Sequence, residues 1–173
     1  MTSATRRMRC TTIHWLLPAL AGIAVGLAVP RVLNAAPSHL PLNRGPAPWP
    51  LPDRVAERIR VADLPPYAES KPLEHPHAHL DVFADGAHVP VPAGLGLAPP
   101  YSSLHTHCSS GILHMEARRS DSRFTLGDLF ALWGVRLSRS CVGSYCEPES
   151  PARLYVNGPL QSGPISGVVL EPL

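Results

Sequence analysis

Proline sets the first limit on this chain. Pro41, Pro46, Pro48, Pro50, Pro52, Pro65 and Pro66 fall between Pro37 and Pro72, and each removes a backbone donor and holds φ at about −65°. No long helix or central strand can run through such a stretch, so extended, weakly hydrogen-bonded backbone is expected. Residues 37–73 therefore read as a Pro-rich linker. One short helix can interrupt it, because Asp53 to Ala62 (DRVAERIRVA) places helix formers behind a candidate N-cap at Asp53. What is left of the 173 residues suffices for one domain with a modest core, residues 74–173.

Ahead of the linker, Arg6, Arg7 and Arg9 precede an apolar run from Trp15 to Pro30, the order of a positive n-region and a hydrophobic h-region. Leu33-Asn34-Ala35 before Ala36 is a small-residue cleavage site. Residues 1–36 are thus a signal peptide or, uncleaved, a membrane anchor through residues 15–30. Either way the rest of the chain is expected outside the cytoplasm, as a secreted, periplasmic or membrane-anchored domain. The net charge of +2, from 15 basic and 13 acidic residues, excludes nucleic acid as a partner class, since phosphate binding needs a concentrated basic surface.

Turn chemistry and periodicity organise the domain. Ala78 to Ala84 reads as a strand, Asp85-Gly86 as a two-residue hairpin turn and His88 to Val91 as the returning strand. Ser102 to His107 and Ile112 to Arg118 read as two more strands around the permissive run Cys108 to Gly111. Thr125 with Asp128 forms a capping-box start, and Leu126, Leu129, Phe130 and Trp133 recur at helical spacing up to Gly134. Ala152 to Val156 before Asn157-Gly158 is a fourth strand signal, and Val168 to Leu170 a short last one. The expected class is α+β, a small β-sheet of hairpins with one amphipathic helix packed on it.

Histidine supplies the chemistry. His75, His77 and His79 alternate along the first strand, which puts them on one face at intervals of about 6.6 Å. His105 and His107 repeat the device. Across the turn His114 and Glu116 share a face of the partner strand, so in register these four point into one volume. Imidazole nitrogens at about 2.0–2.1 Å suit one ion of Zn²⁺ or Cu²⁺, whereas Mg²⁺ and Ca²⁺ want oxygen. The metal ligands expected are His77, His79, His105, His107 and His114, with His75, Cys108, Glu116 and Asp81 as additional candidates. Asp81 and Glu116 suit the orienting of imidazoles, or a fourth ligand position. His14, His39 and His88 lie outside the pattern and read as ordinary solvated side chains. A blue-copper set of Cys108, His114 and Met115 is disfavoured, because adjacent strand residues point to opposite faces. The step His77-Ala-His79-Leu-Asp81 also occurs in metallohydrolases, whose folds are much larger than this chain allows.

Cys10 sits in the n-region. Cys141 and Cys146, with Gly143 between them, can close a small disulfide loop in an oxidising compartment. Cys108, directly after His107, reads either as a further ligand or as a small buried residue.

The stretches HAHLDVFADGAHVPVPAGLG, LHTHCSSGILHME, FTLGDLFALWG and LYVNG, spanning His77 to Gly158, resemble a family of exported prokaryotic proteins. Its pattern is HxHxxLxVxVDGxxVxVPxxIG, LHTHDxSGxIHVE, FTLGxFFxxWG and VYVNG. The resemblance implies a small sheet-plus-helix domain similar to the ubiquitin-like β-grasp, on a secreted or anchored chain, and brings no activity with it. This chain has Cys108 where the family has Asp. It ends at Leu173 where members continue into a DEIxxxYG-like strand, so an exposed sheet edge is expected.

The sequence thus implies a non-enzymatic metal-binding domain for Cu or Zn outside the cytoplasm. The alternative is a cell-envelope interaction module that recruits a protein partner through the helix around Phe130 and Trp133 or through a sheet edge, with structural histidines. An enzyme would need the same histidines to leave a coordination position open for water.

Overall fold

The structure, a computed structural model, describes residues 40–64, 67, 75–116 and 123–173. The stretch expected to be a signal or anchor, 1–36, lies outside them, as do Cys10, His14 and His39. Two helices and seven short strands follow in the order α1 (Val55–Ala62), β1 (His77–His79), β2 (Val82–Ala84), β3 (Ala87–Val89), β4 (Leu104–His105), β5 (Ile112–Met115), α2 (Leu126–Trp133), β6 (Cys141–Val142) and β7 (Tyr145–Cys146).

The class is α+β, but the single sheet expected from sequence is three small antiparallel ones: β1-β5-β4, β2-β3 and β6-β7. The run from Ala78 to Ala84 breaks at Leu80 and Asp81 because its two halves have different partners. β1 pairs with β5, while β2 turns back on β3. The turn between β2 and β3 is the one expected, with positive φ at Asp85 and Gly86. The two late strand signals shrink to single bridges, Tyr155 with Leu160 and Val169 with Thr125.

Helix α2 forms as its sequence requires. The Thr125 hydroxyl accepts from the Asp128 amide at 3.1 Å while the Asp128 carboxylate accepts from the Thr125 amide at 2.8 Å, and Gly134 ends the helix in the left-handed region. Leu126, Leu129, Phe130, Leu132 and Trp133 are all buried, in one core with Ala78, Leu104, Leu113 and Met115 of the sheet. Those sheet residues alternate with the histidines, so one face of β1-β5-β4 joins the core and the other carries imidazoles.

Residues 40–64 are not a tether. Trp49 is 3% exposed and meets Phe130, Trp133 and Tyr145 edge-on at centroid distances of 6.3, 5.7 and 6.3 Å. The Asn43 amide donates to the Gly134 carbonyl at the end of α2, and Arg58 of α1 reaches the carbonyls of Leu40 and Pro41. Proline made this stretch extended, as its chemistry demands, yet extended backbone can be pinned by one large buried side chain. The domain therefore begins well before residue 74, and residues from Ala36 to Leu173 group as one compact unit. Helix α1 starts at Val55 with Arg54, not Asp53, at its N-cap.

The hairpin β6-β7 is closed by the expected Cys141–Cys146 disulfide. Arg136 ties it down, donating to the Gly143 carbonyl from Nε at 2.8 Å and from Nη2 at 2.5 Å. No helix among the described residues is long and apolar enough to cross a membrane.

Candidate metal centre

Strand order makes the site. β5 is central, and His114 on it is the register partner of His77 on β1 and of His105 on β4. Three imidazoles therefore stand in a row across one sheet face, at the separations of directly opposed residues. Ring centroids lie 4.5 Å apart for His77 and His114, and 5.1 Å apart for the parallel pair His105 and His114. His75 and His107 extend the row by one alternate residue on each edge strand.

Two ligand sets result, and both contain His114: His75/His77/His114 and His105/His107/His114. In the first, His75 Nε2 and His77 Nε2 lie 2.9 and 3.1 Å from His114 Nδ1. In the second, His105 Nε2 and His107 Nε2 are 3.2 Å apart. Nitrogens on a tetrahedral ion at 2.0–2.1 Å are separated by about 3.3–3.4 Å, so small side-chain shifts would seat an ion in either set. His105 is the best oriented. It is 2% exposed, and its Nδ1 faces the Ser102 carbonyl at 3.1 Å. Donation to that carbonyl puts the lone pair on Nε2, toward the ligand volume.

The protonation states favour ligation. Burial, followed by repulsion from His107, His105, His77 and His75, lowers the His114 pKa from 6.5 to about 4. Burial also lowers that of His105, against the opposing pull of Glu116. Both rings are then neutral near pH 7, the form that binds a metal.

Glu116 is 3% exposed, with Oε1 at 2.7 Å from His75 Nε2 and 4.0 Å from His114 Nδ1. Its Oε2 is also buried. Tyr67, within the stretch read as linker, lies edge-on to His105 at 5.9 Å, and burial, the Glu116 charge and a side-chain hydrogen bond to Glu116 raise its phenol pKa. Sequence reasoning missed Tyr67 because no pattern links it to the histidines; only the fold brings it there.

The other expected ligands lie apart from both sets. His79 shares the face of His77 but sits opposite Ile112, with Nε2 2.9 Å from the Ser110 carbonyl and Nδ1 3.5 Å from Asp81. Asp81 faces His79 and, at 3.8 Å, the half-exposed His88, so it orients nothing in the row. Cys108 Sγ lies 3.3 Å from Ser110 Oγ in the turn.

Backbone packing holds His105 in place. Gly96 has φ +76°, and a Cβ there would stand 2.5 Å from the Leu104 carbonyl oxygen and 3.0 Å from His105 Cβ. Gly96→Ala should therefore cost about 1–3 kcal/mol in strain. An unchanged urea midpoint in that variant would refute this account of the loop. Thr106, between the two ligands, faces the other way and clamps the same loop, donating to the Pro92 carbonyl at 2.7 Å and accepting from the Leu95 amide at 3.1 Å.

The core and the histidine row are thus opposite faces of one short sheet. No protein-family model, curated protein or solved structure matches the chain.

Proposed function

We propose that this is a metal-binding domain acting outside the cytoplasm, holding Cu²⁺ or Zn²⁺ through His105, His107 and His114, with binding and not catalysis as its role. The observation that carries the reading is the convergence of ring nitrogens on His114 beside a buried, tautomer-fixed His105. Nitrogen donors in this number suit late transition ions. The disulfide supports an oxidising compartment, where such bonds persist. An N-terminal signal or anchor would take the chain there.

The direct test is elemental analysis of the full chain, purified without added metal or a histidine tag, beside His105→Ala/His107→Ala. Near-stoichiometric copper or zinc in the wild type and much less in the variant is the expected result. Metal in neither chain, with both folded, would defeat the reading.

Acidity supplies a second check. The His114 pKa lies below its unfolded value of about 6.5. Between about 4 and 6.5 the metal-free folded protein thus binds fewer protons than the unfolded chain, so its stability rises with pH across that window and is lost as pH falls through it. Metal affinity should fall most steeply between pH 5 and pH 4, where protons reach His114, and be highest at pH 7.5. Titrations at the three pH values giving one common isotherm would exclude histidine ligation.

A second reading is an envelope interaction module. It loses the helix face that the sequence offered, because Phe130 and Trp133 are buried. It gains a cavity of about 540 Å³ beside Trp49, Phe83, Phe130 and Tyr145, with Phe83 66% exposed. On this reading His105→Ala/His107→Ala would capture the same partner as the wild type.

A further inference from the structure

We infer that a single metal ion exchanges between two positions on the sheet face, an outer one on His75 and His77 and an inner one on His105 and His107, with His114 serving both. This rests on the metal-binding reading and adds a path to it. The two sets occupy opposite edge strands, β1 and β4, and the only ligand they have in common stands on the central strand between them.

Their surroundings differ. The outer set is open at His75, whose side chain is 47% exposed, and it is backed by the buried carboxylate of Glu116, whose Oε1 lies 2.7 Å from His75 Nε2. A buried carboxylate charge is costly, and a cation beside it offsets that cost. The inner set is anchored by the buried His105 and its bond to the Ser102 carbonyl. The outer position therefore suits arrival and departure, and the inner one retention.

Exchange is a ligand substitution in which no electron moves. The bonds from His75 and His77 to the ion break as those from His105 and His107 form, and neutral imidazoles replace neutral imidazoles. Among the described residues Glu116 is the one carboxylate within 4.0 Å of these rings. One negative charge balances one divalent ion poorly and two far worse, which favours single over double occupancy.

The test uses the full chain, Zn²⁺ as the probe and two variants placed on exposed or half-buried side chains, His75→Ala/His77→Ala and His107→Ala. Stoichiometry and the rate of Zn²⁺ transfer to a chromophoric chelator are measured for each. The expected result is one Zn²⁺ per chain in all three, with about tenfold or greater loss of affinity in His107→Ala and little loss in His75→Ala/His77→Ala, since the inner position retains the ion. Transfer from His75→Ala/His77→Ala should be slower than from the wild type, because the exit position is gone. Circular dichroism on the same samples establishes that the variants are folded. Two Zn²⁺ in the wild type and one in each variant would replace exchange by a two-ion centre bridged by His114. An unaltered transfer rate in His75→Ala/His77→Ala would overturn the outer position while leaving the inner site intact. A folded wild type that takes up no Zn²⁺ or Cu²⁺ would overturn both exchange and the metal-binding reading.

Discussion

His114→Ala should weaken Zn²⁺ or Cu²⁺ binding by more than any other single histidine substitution in the chain, by about 100-fold or more. Altering a residue that merely orients a ligand already costs about 10–100-fold, and His114 belongs to both candidate sets. The substitution leaves the fold intact because the ring projects from the face of the sheet away from the core, and its removal relieves crowding among the neighbouring imidazoles. The measurement is a competition titration against a chelator of known affinity, with the thermal midpoint of the metal-free protein as control. A loss no larger than that of His79→Ala would mean that the row across the sheet is not where the ion sits.

Trp49→Ala should destabilise the domain by about 3–5 kcal/mol, the range for emptying a buried aromatic site. Trp49 touches three aromatic residues, and its indole Nε1 donates to the Gly45 carbonyl at 3.0 Å. Gly143 of the β6-β7 turn lies against the same ring, since a Cβ there would come within 2.6 Å of it. The loss therefore spreads to the disulfide hairpin. Urea denaturation of the full chain measures it. A change under about 1 kcal/mol, within the scatter of surface substitutions, would restore the spacer reading of this segment.

That segment also shows where local sequence reasoning stops. Proline rules describe the backbone between Leu40 and Leu64 correctly, but they carry no information about what a lone tryptophan meets 84 residues further on. Capping and turn chemistry are local, and the elements that depend on them, α2 and the β2-β3 turn, were legible. The pairing of Cys141 with Cys146 was legible for the same reason, as both ends of the loop are close in sequence. For the histidines, alternation identified the face they share but not which of them the fold brings together. His75 and His79 have equal standing by parity. Only the register of β1 on β5 puts His75 beside Glu116 and sends His79 toward the Ser110 carbonyl. Sequence ranked His79 above His75 because it had no way to know that β1 leaves its neighbour β2 to pair with a strand more than thirty residues away.

The contacts of the early segment also order events during synthesis. Asn43 and Trp49 find their partners at Gly134 and Trp133, so the aromatic core stays incomplete until the chain has been made beyond those residues. Contacts of such sequence separation slow folding, because the intervening loop must close before the contact forms. The segment around Trp49, made before the sheet, thus cannot take its seat until α2 is complete.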